Sequence, residues 1–473
     1  MRKKSFILAA LASFLAFSSI PSFAAKPIDV LVIDSGSDFT HKVLSPMAKP
    51  NTVELNGKEK VDDDNNGYVD DVYGWNFVEN NSTIVNLRET PPDYDTVLEV
   101  MKNINKMQQS GKEAFTKEEW NKFVGLYNDP KIKPWVNFCG GWAHGTHCAG
   151  IIANNNKNVA FKAIRHIPTG QAPSRLVEDD LKRVSFKVAQ RTKRAAPSME
   201  EIEKYLEEVG KENADKIKAK ADYIAKFDPR LINCSFGVPN ASVLNMMKLY
   251  SMQWGLGSLN EDEIQKLANL YVTKTMLPRD KALFAGCKNA LVFIAAGNSA
   301  EDLDICTTSP QGVPMQNKIV VAATNDNQKI ADFSCWGKTK VDLAVPGVNI
   351  YATYPNQKMG YMSGTSMACP NALGMASLVL TENPDLTPVQ LKKILMETVD
   401  KKDWLKDKVK SGGVINVERA VFAAKQIKAG KSMNEAIKEA KTNVPDMAIR
   451  RGRKVGCDLK DPVVKKIYFS NVY

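Results

Sequence analysis

The stretch MGYMSGTSMACPNALG, residues 359–374, decides how the rest of the sequence is read. Ser363, Gly364 and Thr365 make a small, permissive approach in which the backbone turns tightly and leaves the Ser366 hydroxyl uncovered. Ser366 then opens a helix. Its Met367, Ala368, Leu373, Met375, Ala376, Leu378, Val379 and Leu380 are apolar on every side, which buries the helix until it stops near 381–384. Pro370 is expected in the first turn, where its missing N–H costs little and the free N–H groups suit a developing oxyanion. A Ser/Thr cap on a core helix gives the same local pattern. The reading therefore turns on whether the chain supplies a base to activate this hydroxyl.

Histidine is scarce, with only His41, His144, His147 and His166 present. The run HGTHCAG at 144–150 leads into Ile151, Ile152 and Ala153, which puts His144 at the mouth of a second buried helix and makes it the candidate general base. His147 follows three residues later, but no carboxylate or third ligand stands at helical spacing beside the pair, so a metal site is disfavoured. Residues 28–33 form an apolar run broken only by Asp29, a strand buried on both faces with Asp34, Ser35 and Gly36 at its carboxyl end. Sites gather at such ends in parallel sheets, although Asp before Ser-Gly is also an ordinary turn former. Asn298 follows another apolar strand in AAGN and can point an amide N–H into a cleft.

Further core strands are expected at 159–164, 231–234, 291–296, 319–323 and 341–345, with helical segments between several of them. The alternation predicts an α/β fold with a mainly parallel central sheet. Three stretches read as insertions: polar, aperiodic 45–134, charged helical 171–227, and amphipathic 243–278. A surface helix is expected at 386–399, and 422–473 reads as a basic C-terminal extension.

The chain has 473 residues, 44% hydrophobic and 25% charged, which suits one large globular domain with additions. Basic Met1 to Lys4, the apolar run 6–17 and a small-residue exit predict a secretory signal peptide over 1–24, cleaved after Ala24. Its removal takes Arg2, Lys3 and Lys4 and lowers the net charge from +11 to +8. The remaining lysines are spread along solvated helices without aromatic interleaving, which argues against nucleic acid as a partner. Eight cysteines in an exported chain predict disulfides. Cys148 and Cys369, inside the two apolar helices, read as buried thiols. Asp62, Asp64 and Asn66 at alternate positions, then Gly67, Tyr68, Asp70 and Asp71, have the spacing of a calcium loop, although Tyr73 stands where the bidentate Glu belongs. The expectation is a partial, structural calcium site.

The order Asp34, His144, Asn298, Ser366, each at a strand end or helix start, resembles the subtilisin-like serine peptidases. The matching segments are VIDSG around Asp34, HGTHCAG around His144, INCSFG at 232–237, AAGN up to Asn298, ADFSCWG and VDLAVPG within 321–347, and GTSMACP around Ser366. The resemblance covers about 28–421 and implies a three-layer fold with helices on both faces of the sheet and a peptidase domain over 25–421. It implies an exported endopeptidase acting on proteins or peptides, in which Ser366 attacks, His144 carries the proton, Asp34 orients the imidazole and Asn298 supports the oxyanion. Ser235, Phe236 and Gly237 would pair with an extended substrate. The alternative is a catalytically silent binding protein on the same fold. Three departures stand out: residues 25–33 leave no room for the family's usual folding propeptide, Val43 replaces a frequent Asp calcium ligand, and Asn371 replaces a frequent His.

Overall fold

The computed structural model describes residues 26–170, 174–191, 195–447 and 458–470. The predicted signal peptide and Cys457 lie outside the described residues. The strands are β1 (Ile28–Asp34), β2 (Gly74–Asn76), β3 (Val159–Arg165), β4 (Leu231–Cys234), β5 (Leu291–Ala295), β6 (Lys318–Asn325), β7 (Lys329–Ile330), β8 (Leu343–Pro346), β9 (Ile350–Tyr354), β10 (Lys358–Met362), β11 (Asp400–Lys401) and β12 (Gly413–Val414). The helices are α1 (Thr52–Leu55), α2 (Tyr94–Ser110), α3 (Lys117–Asn128), α4 (Lys133–Asn155), α5 (Ser174–Ala189), α6 (Met199–Phe227), α7 (Asn240–Gln253), α8 (Glu261–Tyr271), α9 (Leu277–Leu283), α10 (Thr365–Glu382), α11 (Pro388–Glu397), α12 (Val417–Lys428), α13 (Met433–Asn443) and α14 (Pro462–Ser470).

The central sheet runs β11-β12-β8-β6-β5-β4-β1-β3-β2, parallel except for the short pairings of β11 with β12 and β7 with β6. Period-two alternation sorts its side chains onto two faces. Val30 and Val32 face the core that contains α4 and α10, whereas Leu31 and Ile33 face the core shared with Tyr223 and Ile224 of α6. Both faces are thus covered, which explains why the strands carry near-continuous apolar runs and gives the expected three-layer α/β arrangement.

Connectivity positions the site. From β1 the chain builds β3 on one side, then returns to place β4 on the other and continues outward through β5 and β6. The strand order reverses at β1 and β4, so a crevice opens outside their carboxyl ends. Asp34 ends β1, and Ser235 directly follows β4.

Several expectations change. Residues 45–134 are not an aperiodic excursion: β2 joins the sheet, and α2 puts Val97, Val100, Met101, Ile104 and Met107 into the main core. That stripe has helical spacing. The charged segment 171–227 is not merely solvated either. Val177, Leu181 and Val184 of α5 and Ile202, Leu206 and Val209 of α6 close a separate core with α7 and α8. The C-terminal extension packs back as well, burying Ile437 and Ala440 from α13 and Val464, Ile467 and Tyr468 from α14.

The disulfide expectation is corrected. Cys139, Cys148, Cys234, Cys287, Cys306, Cys335 and Cys369 are free and buried. They sit in the two cores that flank the central sheet and act as small apolar fillers. His144 lies within a 23-residue helix rather than at its mouth, because the helix already starts at Lys133. Pro370 falls inside α10, past the first turn, because the helix starts at Thr365.

Candidate functional site

Asp34 is fully buried at the end of β1, and its Oδ1 lies 2.7 Å from His144 Nδ1 while accepting the Ser35 N–H at 2.7 Å. The helix α4 can pass this close because Gly145 has no side chain: a Cβ there would come within 2.2 Å of the Gly36 carbonyl oxygen. Burial alone would lower the pKa of His144, but the adjacent Asp34 carboxylate and, after it, Cys148 together hold the imidazole well above its ordinary range. Cys148 lies one turn on, its thiol pushed up to about 11 chiefly by burial, so it is no thiolate at neutral pH.

His147 takes another path. Its Nε2 lies 3.1 Å from the Ile350 carbonyl oxygen and 3.3 Å from that of Gly360, fastening α4 to the β9–β10 hairpin. Burial pushes its pKa down to about 3 and keeps it neutral. His166 is half-buried and neutral: desolvation and the nearby Lys220 push its pKa well below the ordinary range, its Nδ1 accepts from Lys220 Nζ at 2.7 Å, and its ring lies 5.0 Å from Phe236.

Ser366 is 5% exposed, and its hydroxyl donates to the Ser235 carbonyl oxygen at 3.1 Å. Its backbone carbonyl accepts from Ser235 Oγ at 3.0 Å and from Cys148 Sγ at 3.4 Å. That carbonyl is available because residue 370, which would normally donate to it four residues on, is proline. The first-turn donors are distributed unevenly. Thr365 N–H goes to Asn298 Oδ1 at 2.8 Å, and the Met367 and Ala368 N–H groups go to the Gly364 carbonyl. Among the described residues nothing takes the Ser366 N–H. Asn298 is held by its oxygen, which also accepts from Thr365 Oγ1 at 2.9 Å, so its Nδ2 is the end left to face the cleft.

These groups line one cleft of about 810 Å³ together with Ser235, Phe236 and Gly237. Gln311, which the sequence reading missed, also lines it; its Nε2 donates to the Ala295 carbonyl at 2.7 Å. Gly237 leaves room for that amide, since a Cβ there would sit 2.9 Å from Nε2.

The predicted calcium residues fall on a separate surface, where the structure divides them. Asp62 and Asp64 bring carboxylate oxygens within 4.8 Å of Glu54, a buried residue of α1. Glu54 also accepts the N–H groups of Asp64 at 3.1 Å and Asp70 at 2.9 Å. Glu54 thus stands as a third carboxylate beside Asp62 and Asp64, one that the loop spacing does not encode. Asp71 turns inward and is occupied by the Tyr223 hydroxyl at 2.6 Å and by Asn51 and Asn66 amides. Burial raises its pKa. Asp70 faces the Lys60 N–H, and Tyr68 packs its ring against Tyr223 at 4.5 Å. Asn66 caps the loop, its N–H donating to Asp62 and Asp64.

A profile of the Subtilase family, Peptidase_S8, matches residues 26–420. Subtilisin-like protease 1 of Plasmodium berghei (strain Anka) is 26% identical over 409 residues, covering 85% of this chain and 51% of its own length. Serine protease AprX of Bacillus subtilis (strain 168) is 36% identical over 157 residues, covering 28% of this chain and 35% of its own. The chain spans about half the length of the Plasmodium relatives it matches. The crystal structure of a cold adapted subtilisin-like serine proteinase aligns with 84% of this chain and 89% of its own at a TM-score of 0.41 and 19% identity. With the family profile running from residue 26 to residue 420, most of its length, the chain belongs to the subtilase family.

Proposed function

We propose that this chain is an exported serine endopeptidase that hydrolyses peptide bonds in proteins through Asp34, His144 and Ser366. The observation that carries the reading is the 2.7 Å contact between buried Asp34 and His144 beside the Ser366 hydroxyl in one cleft. In the reaction the Ser366 hydroxyl turns from the Ser235 carbonyl toward His144. Its oxygen attacks the scissile carbonyl carbon while His144 Nε2 takes the proton. Negative charge develops on the carbonyl oxygen. The Ser366 N–H and the Asn298 Nδ2 are the two donors suited to receive it. As the C–N bond breaks, His144 passes the proton to the departing amine and Ser366 is left acylated. Water then attacks the ester, again deprotonated by His144, releasing the carboxylate and restoring the serine. Asp34 fixes the ring's tautomer and stabilises the imidazolium.

The position of Ser235, Phe236 and Gly237 along the cleft, directly after β4, supports strand-like pairing with the substrate. Export rests on the basic and apolar leader at 1–24. Among the described residues no helix is long and apolar enough to cross a membrane. The convergence of Glu54, Asp62 and Asp64 fits a hard cation with oxygen ligands, and like charges held this close favour one. Calcium there would have a structural role away from the chemistry. Calcium titration should then give a heat of binding and a higher melting temperature; neither appearing would remove calcium from the account.

The decisive experiment is labelling of mature protein with a fluorophosphonate, beside Ser366→Ala, with casein turnover in parallel. The expected result is labelling and turnover in the wild type alone. A folded wild type that neither labels nor cleaves would favour a silent binding protein.

A further inference from the structure

The residues of α4 that line the cleft are Pro134, Asn137, Phe138, Gly141 and His144. Their spacing places them on one stripe of the helix, which ends at the base. On the endopeptidase reading, His144 protonates the departing amine, which makes the stripe ending at His144 the candidate track for the chain that follows the scissile bond. The acyl portion lies toward Ser235 to Gly237.

The stripe carries one aromatic ring beyond its first turn from His144, that of Phe138. Phe138 packs its ring against Trp135 at 5.7 Å and Trp142 at 6.3 Å. A second ring, Phe469, reaches the same cleft from α14, a part of the chain with no role in the sequence reading. Phe469 is 40% exposed, yet its helix is firmly seated. Val464, Ile467 and Tyr468 are buried, Gln108 Nε2 donates to the Tyr468 carbonyl at 3.0 Å, and Tyr468 packs on Phe333 with ring centroids 6.0 Å apart. Between Phe138 and His144 lies Gly141, where a Cβ would meet nothing within 4 Å. Open space in a cleft that two partly exposed rings also line is a place for an apolar side chain.

We infer that Phe138 and Phe469 form a subsite for the leaving side of the substrate, selecting a large apolar side chain in the first two residues after the scissile bond. The distances agree. A helix rises about 1.5 Å per residue, so Gly141 and Phe138 stand about 4.5 and 9 Å along the axis from His144. An extended peptide advances about 3.4 Å per residue and covers that span in its first two or three residues. The C-terminal helix thereby becomes part of substrate selection. This inference rests on the endopeptidase reading.

The test uses full-length mature protein and a peptide panel in which only the first, then the second, residue after the cleaved bond is varied among Phe, Leu, Ala, Gly and Asp. The readout is the ratio of kcat/KM for Phe over Gly at each position. The wild type should show a ratio of about tenfold or more at one of them, the scale of a filled apolar pocket. Phe469→Ala should bring the ratio below about threefold. Gly141→Leu, which fills the open space and raises helix propensity, should invert the preference toward Gly and Ala. Retention of the preference in both variants, or a wild type that cleaves the panel without preference, overturns the inference. A wild type that neither cleaves nor labels with fluorophosphonate overturns the endopeptidase reading itself and this inference with it.

Discussion

Replacing Asp34 with Asn tests the charge at the centre of the proposed site while keeping its shape. The carboxylate is fully buried, touches His144 Nδ1 at 2.7 Å, and leaves Oδ2 without a partner among the described residues. Two unit charges at that distance attract by about 6 kcal/mol at an effective dielectric of about 20. This interaction exists only when His144 is protonated, as it is while the oxyanion forms, so its loss falls on the transition state. At about 1.4 kcal/mol per tenfold, the expected drop in kcat is about 10⁴. The pH profile should move too. Burial pulls the His144 pKa down, and the Asp34 carboxylate, together with Cys148, overcomes it and lifts the group well above 6.5. The base works only when neutral. Wild-type kcat/KM should therefore fall as pH drops through a value above 6.5, and in Asp34→Asn, with the main opposing charge removed, that acid limb should move to lower pH. Steady-state kinetics on one peptide from pH 5 to 10 reads both quantities. A variant within tenfold of wild type, or an unshifted acid limb, would refute the assignment of Asp34.

Three further outcomes are expected. Asn298→Ala should lower kcat by about 10²–10³ with little change in KM, because its Nδ2 acts on charge that appears only in the transition state; stopped-time assays at saturating substrate decide this. Glu54→Gln should abolish any calcium-dependent rise in melting temperature while leaving fluorophosphonate labelling in place, read by calorimetry and gel. Gly36→Ala should destabilise far more than Gly67→Ala: both have positive φ, but a Cβ on Gly36 would lie 2.0 Å from the Ile84 carbonyl oxygen and one on Gly67 meets nothing within 4 Å. Denaturant midpoints should show a loss of about 1 kcal/mol for Gly67→Ala and several times that for Gly36→Ala.

Much of the sheet was legible because strands covered on both faces carry unbroken apolar runs: 231–234 and 159–164 reappear as β4 and β3 almost to the residue. Element starts were harder. The sequence 133–143, with Cys139, Gly140, Gly141 and Trp142, lacks a capping signal and has poor helix formers, yet tertiary packing of Val136 and Trp142 extends α4 through it. The insertions were misread for a related reason. In α6 the charged residues outnumber the apolar ones, and only the periodic placement of Ile202, Leu206 and Val209 shows that one face is covered. Contacts made by residues distant in sequence left no local trace. Neither the approach of Glu54 to Asp62 nor the entry of Phe469 into the cleft that Phe138 also lines follows from spacing, because each depends on how separate elements meet.

Pro370 shows how a local defect serves the site. An interior proline costs a helix about 3 kcal/mol, partly through the hydrogen bond it cannot donate. Here the unused acceptor is the Ser366 carbonyl, which instead joins α10 to Ser235 beyond β4 and to Cys148 on α4. The residue proposed as nucleophile is thereby tied to the substrate edge and to the helix carrying His144. Pro370→Ala returns an N–H to that position and sets it in competition with the Ser235 hydroxyl and Cys148 thiol. The expected result is a more stable protein with a lower kcat, the trade expected where strain is kept for positioning. Melting temperature and kcat measured on the same preparation separate the possibilities. A variant that loses stability and keeps full kcat would mean that the proline serves packing alone and that the freed carbonyl has no part in holding Ser366.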